Sequence, residues 1–137
     1  MMPNSSFLLN DEQRELVMLE DAGSIFLEGP AGAGKTTAVV ARLLRLLSSG
    51  VPGDSILVIL PQRTLGTPYL KALSMAEVVS GGAVSILTAS GLAQRMVELF
   101  WPLVAEYAGV KNPYTPPVFL TLETAQYHIA RLVTPLL

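Results

Sequence analysis

One stretch near the start of the chain reads Gly29-Pro30-Ala31-Gly32-Ala33-Gly34-Lys35-Thr36. It has the pattern G-x-x-x-x-G-K-T, in which glycines let the backbone turn its N–H groups inward around a polyphosphate. The lysine of this pattern places a positive charge on the β- and γ-phosphates, and the hydroxyl that follows suits Mg²⁺. The stretch therefore predicts a phosphate-binding loop, with Lys35 as its catalytic residue and Thr36 as its metal ligand.

The segments on both sides of the loop have the composition that such a loop requires. Residues 24–27 are a short apolar run typical of a buried strand, and residues 38–47 carry apolar side chains at helical spacing. The N-terminal amides of that helix extend the predicted phosphate contacts to Thr37. The order of strand, glycine loop and helix argues against the alternative, a glycine-rich turn between two core elements with an incidental lysine.

Composition limits the classes of protein to consider. The chain has 137 residues, of which 50% are hydrophobic and 15% charged, and it contains no cysteine. The length suits one domain. We expect a soluble, cytoplasmic protein without disulfides, thiolate metal sites or membrane segments. The net charge of −2 gives no general basic field, so any contact with nucleic acid must be local.

Strands and helices alternate along most of the chain. Asn10 and Gln13 have the spacing of a helix cap and its capping-box partner ahead of the loop. After the loop helix we predict a strand at residues 55–60, a helix from about Pro68 to Val79, a strand at 83–88 and a helix at 91–107 that Pro102 kinks or splits. This order predicts an α/β fold with a parallel sheet, flanking helices and ligands at the carboxyl ends of the strands.

The composition changes after this alternation. Residues 109–117 form a proline-rich connector, and a last helix follows in which Leu122, Ala125, Ile129 and Leu132 share one face. The apolar run 118–122 followed by Glu123 looks like a strand with an acidic end. We place Glu123 at the start of the helix instead, where acidic residues offset the helix dipole. Core packing is the expected role of Phe100, Trp101 and Tyr107, ahead of stacking on bases.

With these elements in place, the chain resembles the amino-terminal part of UvrD/Rep-type superfamily 1 DNA helicases, including their RecB- and AddA-like relatives. Residues 9–17, Leu-Asn-Asp-Glu-Gln-Arg-Glu-Leu-Val, are similar to the family's Q motif, L-N-x-x-Q, which precedes the Walker A loop at a short distance. The resemblance implies an incomplete P-loop NTPase (RecA-like) sheet, ATP and Mg²⁺ as cofactors, and adenine recognition by Gln13. A glutamine that only caps its own helix would look the same.

The resemblance also implies contacts to single-stranded DNA. The family's T-x-T-N-K/R-A-A motif falls on residues 60–66 with a loose fit, and its T-x-H-S-F motif falls on residues 88–92, where only the first threonine matches. The candidate DNA contacts are Arg63, Thr64, Thr88 and Ser90. Capping of strand ends is the alternative role for these four residues.

Hydrolysis of ATP needs an acidic metal ligand, a base that positions water and usually an arginine. The family supplies these groups from later motifs and a second RecA-like domain, so we expect residues 1–108 to be the first part of a RecA-like ATP-binding domain that turns over little ATP alone. Residues 109–117 are then a connector, and residues 118–137 begin an inserted subdomain. The remaining helicase domains or partner subunits are the expected partners. A small P-loop kinase of a nucleotide or metabolite and a non-catalytic nucleotide-binding scaffold are the alternatives.

Overall fold

The computed structural model describes residues 9–19, 23–76 and 81–136. These residues form five α-helices and two β-strands, joined in places by short 3₁₀ turns. In chain order the elements are α1 (Asp11–Met18), α2 (Lys35–Ser48), β1 (Leu57–Leu60), α3 (Thr67–Met75), β2 (Ser85–Thr88), α4 (Ala89–Tyr107) and α5 (Leu122–Val133). The chain divides into two compact units, residues 1–89 and 90–137. The predicted domain limits around the connector stay a prediction.

The sheet of the first unit is small and parallel. β1 and β2 pair in a register that runs from Leu57 opposite Ser85 to Leu60 opposite Thr88. Because the strands are parallel, their carboxyl ends meet at one edge of the sheet. The prediction of an α/β fold with a parallel sheet is confirmed at this level.

The core of the first unit lies between α2 and one face of the sheet. Val40, Leu43 and Leu47 of α2 are buried together with Leu60 of β1 and Tyr69 of α3. These three α2 positions follow helical spacing, which places them on one side of the helix. The packing fixes the direction of α2 and therefore the place of the loop that precedes it.

α1 packs against α2 and starts as the sequence predicts. The side chain of Asn10 accepts a hydrogen bond from the Gln13 amide, and the side chain of Gln13 accepts one from the Asn10 amide. The capping box is therefore confirmed. At the other end of α1, Nη1 of Arg42 donates to the carbonyls of Leu16 at 2.7 Å and Leu19 at 2.9 Å. The start of α1 is thus closed by its own capping box, and its last carbonyls accept hydrogen bonds from a side chain of α2.

The predicted strand ahead of the loop is wrong for the structure described. Residues 24–27 belong to neither strand, and Ile25 and Phe26 are 39% and 89% exposed. A strand exists only with a hydrogen-bonded neighbour, and in the described residues β1 and β2 pair only with each other. The apolar composition of this run indicates a tendency to be buried, but it does not supply the partner strand.

The other predicted elements are found with shifted limits. β1 starts two residues later than predicted, after a 3₁₀ turn at residues 53–55, and β2 also starts two residues later, at Ser85. α3 begins with a proline in its first turn, as predicted from Pro68. α3 ends at Met75 with Ala76 as its C-cap, earlier than predicted, and Val79 itself lies outside the described residues.

In the second unit, α4 runs without a break past Pro102, so the predicted split does not occur. Pro102 removes one backbone donor, and the turns on both sides continue the helix. Nε1 of Trp101 donates to the carbonyl of Thr115 at 2.6 Å, which ties the connector to the helix. Core packing is wrong for Tyr107, which is 94% exposed, and for Phe100, which is 45% exposed.

α5 begins where the sequence places it. Thr121 is the N-cap and accepts a hydrogen bond from the Thr124 amide at 3.3 Å, so Glu123 lies in the first helical turn and not at the end of a strand. Hydrogen bonds from its own backbone amide and from Thr121 hold the pKa of Glu123 below its usual value. Among the residues that can be described, none of the helices combines the length and the apolar character needed to cross a membrane.

Candidate phosphate-binding loop

The glycine-rich loop leads directly into α2. Gly34 is the N-cap of α2 with φ +78°, and Gly32 has φ +81°. Both residues are in the left-handed region, where a side chain costs about 1–2 kcal/mol. The two glycines therefore allow a tight turn at the start of the helix.

The ammonium group of Lys35 lies back over the loop. Its Nζ atom donates to the carbonyls of Gly29 and Pro30, both at 2.7 Å. An ammonium has three N–H donors, and within the described part of the chain the third one has no partner. The loop is thus curled around a positive charge that keeps one donor for a ligand.

Backbone donors are also present where the loop meets α2. α2 has no side-chain cap, and its first intrahelical hydrogen bond runs from the Ala38 amide to the Gly34 carbonyl at 2.9 Å. The amides of Lys35, Thr36 and Thr37 precede that bond and donate to no residue among those described. The positive end of the helix dipole adds to their effect. Together with the ammonium, these amides can bind an anion that has several oxygen atoms.

Gln13 connects α1 to the loop. Its Nε2 atom donates to the Ala33 carbonyl at 2.8 Å, and its Oε1 atom accepts from the Asn10 amide at 3.0 Å. The side chain is 9% exposed. Gln13 therefore caps its own helix and also contacts the loop. The loop contact is a role that the sequence did not suggest.

A cavity of about 500 Å³ adjoins the loop at the carboxyl end of β1, and it is lined by Thr36, Leu60, Pro61, Thr64, Leu65, Thr67, Pro68 and Tyr69. It brings together Thr36, the predicted metal ligand, and Thr64, a predicted DNA contact.

The other three predicted DNA contacts do not line this cavity. Arg63 is exposed in the 3₁₀ turn that follows β1. Thr88 is the last residue of β2, opposite Leu60, and Ser90 belongs to the second unit.

Tyr69 is the cavity residue that sequence reasoning missed. It is 6% exposed. Burial raises the pKa of Tyr69. Helical spacing from Tyr69 to Ala72 and Leu73, which also pack on the core, is the signal that could have identified it.

The loop residues fit a metal–nucleotide complex. Among the described residues, no group of three or more His, Cys, Asp or Glu side chains could hold a metal ion alone. Mg²⁺ bound with a nucleotide takes most of its ligands from phosphates and water. The hydroxyl of Thr36 is exposed in the first turn of α2, which leaves it accessible to an ion held by phosphates at the loop.

The chain matches no protein-family model and no curated protein. What the loop binds is therefore inferred from its own donors and charge.

Proposed function

We propose that the chain binds MgATP, with the β- and γ-phosphates held by the loop at residues 29–36. The observation that carries the proposal is the Lys35 ammonium, which bonds the Gly29 and Pro30 carbonyls at 2.7 Å and keeps its third N–H for a ligand. Lys35 lies at the start of α2, where no side-chain cap is present and the amides of residues 35–37 have no partner among the described residues. So many donors around one charge suit a polyphosphate better than a single carboxylate.

Within this site the residues have distinct roles. Lys35 donates to a γ-phosphate oxygen and offsets the charge that develops there during phosphoryl transfer. The loop and α2 amides orient the phosphate chain, and the Thr36 hydroxyl coordinates Mg²⁺, which supplies further charge neutralisation when bound.

The free hydrogen-bonding positions of the Gln13 amide favour binding of ATP over GTP. A glutamine amide has two N–H donors and two acceptor positions, and one of each is used by Ala33 and Asn10. The remaining donor and acceptor match N7 and the 6-amino group of adenine. Guanine presents two acceptors, N7 and O6, at the same edge, so Oε1 of Gln13 would face O6 without a proton between them.

We further propose that the chain is the ATP-binding amino-terminal part of a cytoplasmic, ATP-dependent DNA helicase or translocase with a RecA-like P-loop NTPase fold. Three features support this role: the Gln13 helix beside the loop, Thr64 beside Thr36 in one cavity, and the exposed Arg63. Single-stranded DNA would then lie along the edge where the strands end, in contact with small hydroxyls and an arginine.

The ATP proposal is tested by calorimetric titration of MgATP into the chain and two lysine variants. Lys35→Ala removes the charge at the loop, whereas Lys71→Ala removes the same charge from the exposed surface of α3. We expect Lys35→Ala to weaken binding at least about tenfold, since hydrogen bonds to charged groups contribute about 1.5–3 kcal/mol, and Lys71→Ala to bind like the parent. Equal affinity of Lys35→Ala and the parent would refute the proposal.

The DNA proposal has its own test. Fluorescence anisotropy of labelled oligothymidylate should show salt-dependent binding that Arg63→Ala weakens, with the salt slope reduced by about 1. Lys111→Ala is the control at an exposed position of the second unit. No binding at low salt would remove the helicase role and leave MgATP binding standing.

A further inference from the structure

We infer that Gln13 is a positioning residue for the phosphate loop: its side-chain N–H holds the Ala33 carbonyl and thereby aims the Gly34 N–H at a bound phosphate. The inference rests on the proposed phosphate site. It adds a role that acts on the phosphates themselves and not on the base.

The geometry of one peptide group carries this inference. Nε2 of Gln13 lies 2.8 Å from the Ala33 carbonyl oxygen. That carbonyl and the Gly34 N–H belong to the same planar trans peptide, in which they point in opposite directions. Because the carbonyl is turned toward Gln13, the Gly34 N–H is turned away from it. In the described residues this N–H has no partner, so it is a donor with a set direction.

The peptide needs such a restraint because glycine does not supply one. Gly34 has φ +78°, and a glycine changes its backbone angles at low steric cost. Without a bond to its carbonyl, the Ala33–Gly34 peptide could rotate and turn the N–H away from a ligand. Holding the donor in place before binding lowers the ordering cost of the complex.

Gln13 is itself held firmly enough to act in this way. Its Oε1 atom accepts from the Asn10 amide at 3.0 Å, and Oδ1 of Asn10 accepts from the Gln13 amide at 2.8 Å. Nε2 also lies 2.7 Å from the point where a Cβ on Gly34 would be. Hydrogen bonds therefore connect the cap of α1 to the loop through both polar atoms of the Gln13 amide, which fixes its orientation.

A base-free ligand separates positioning from base recognition. A residue that only reads adenine has no effect on inorganic tripolyphosphate, whereas a residue that positions the loop affects tripolyphosphate and ATP alike. The variant is Gln13→Met, whose side chain has a similar length, adds no charge and contains no N–H donor. The control is Asn10→Ala, which removes a cap from α1 but leaves Gln13 able to donate to Ala33.

The experiment is calorimetric titration of magnesium tripolyphosphate and of MgATP into the chain and both variants, with the helical content checked by circular dichroism. We expect Gln13→Met to weaken tripolyphosphate by about tenfold and MgATP by more than that, because MgATP also loses its contact to adenine. Asn10→Ala should change the affinity for either ligand by less than about threefold. If Gln13→Met does not fold, Gln13→Asn replaces it, because its amide is one methylene too short to reach Ala33.

The titrations distinguish a failure of the positioning role from a failure of the phosphate site. Unchanged tripolyphosphate binding in the Gln13 variant, with ATP alone weakened, would overturn the positioning role and leave Gln13 as a base reader. Equal losses in Asn10→Ala and Gln13→Met would assign the effect to α1 stability and also overturn it. Failure of the parent chain to bind either ligand would instead refute the proposed phosphate site.

Discussion

Gly34 lies so close to Gln13 that a Cβ atom on the glycine would be 2.7 Å from Nε2 of Gln13. Gly32 offers a matched comparison, since its φ is +81° but nothing lies within 4 Å of its Cβ position. We predict that Gly32→Ala costs about 1–2 kcal/mol of stability through its backbone angle alone, and that Gly34→Ala costs more because a clash is added. Urea unfolding of both variants measures the difference.

A double-mutant cycle assigns that excess cost. In a Gln13→Ala background the clash is removed, so Gly34→Ala should become as costly as Gly32→Ala. An unchanged excess in this background would show that the contact with Gln13 is not its source.

The unused donor and acceptor of Gln13 predict a preference for adenine. We expect ATP to bind at least about tenfold tighter than GTP, in line with about 1–3 kcal/mol for a two-point amide contact to adenine. Competition of both nucleotides against a fluorescent ATP analogue gives the ratio. Gln13→Ala should bring the two affinities close together, and a parent chain that binds both equally would contradict the prediction.

Arg42 ties the end of α1 to α2 through its bonds to the carbonyls of Leu16 at 2.7 Å and Leu19 at 2.9 Å. A cation at a helix C-terminus also interacts well with the dipole. We predict that Arg42→Ala lowers the free energy of unfolding by about 1.5–3 kcal/mol. Chemical denaturation checks this, with Lys71→Ala as the control for loss of a charge. A loss no larger than that of the control would show that the two bonds contribute little.

The buried side chain of Tyr69 should make the free energy of unfolding depend on pH in the alkaline range. Burial raises its pKa above the usual value near 10, so the folded chain holds this proton more tightly than the unfolded chain. The resulting stabilisation is complete below pH 10 and is lost as the pH rises from there through the folded pKa. Tyr69→Phe should flatten the loss of stability measured by denaturation above pH 10, whereas Tyr107→Phe, at a side chain 94% exposed, should leave it unchanged.

The sequence predicted those features whose causes are local. The cap of α1 follows from Asn10 and Gln13 alone, and the turn at Gly32 and Gly34 follows from the freedom of glycine. Residues 24–27 show the limit, because a strand depends on a neighbour that local composition does not specify. The contact from Gln13 to Ala33 was likewise not predictable, since it depends on how α1 packs against α2.

Amide NMR shows whether the amides and the lysine at the start of α2 hold the phosphates of ATP. On addition of MgATP to the labelled chain, we expect large shifts for the amides of Gly34, Lys35 and Thr36, and unchanged positions for the amides of α5. Saturating MgATP that leaves the loop amides in place, or that shifts only amides elsewhere, would contradict it.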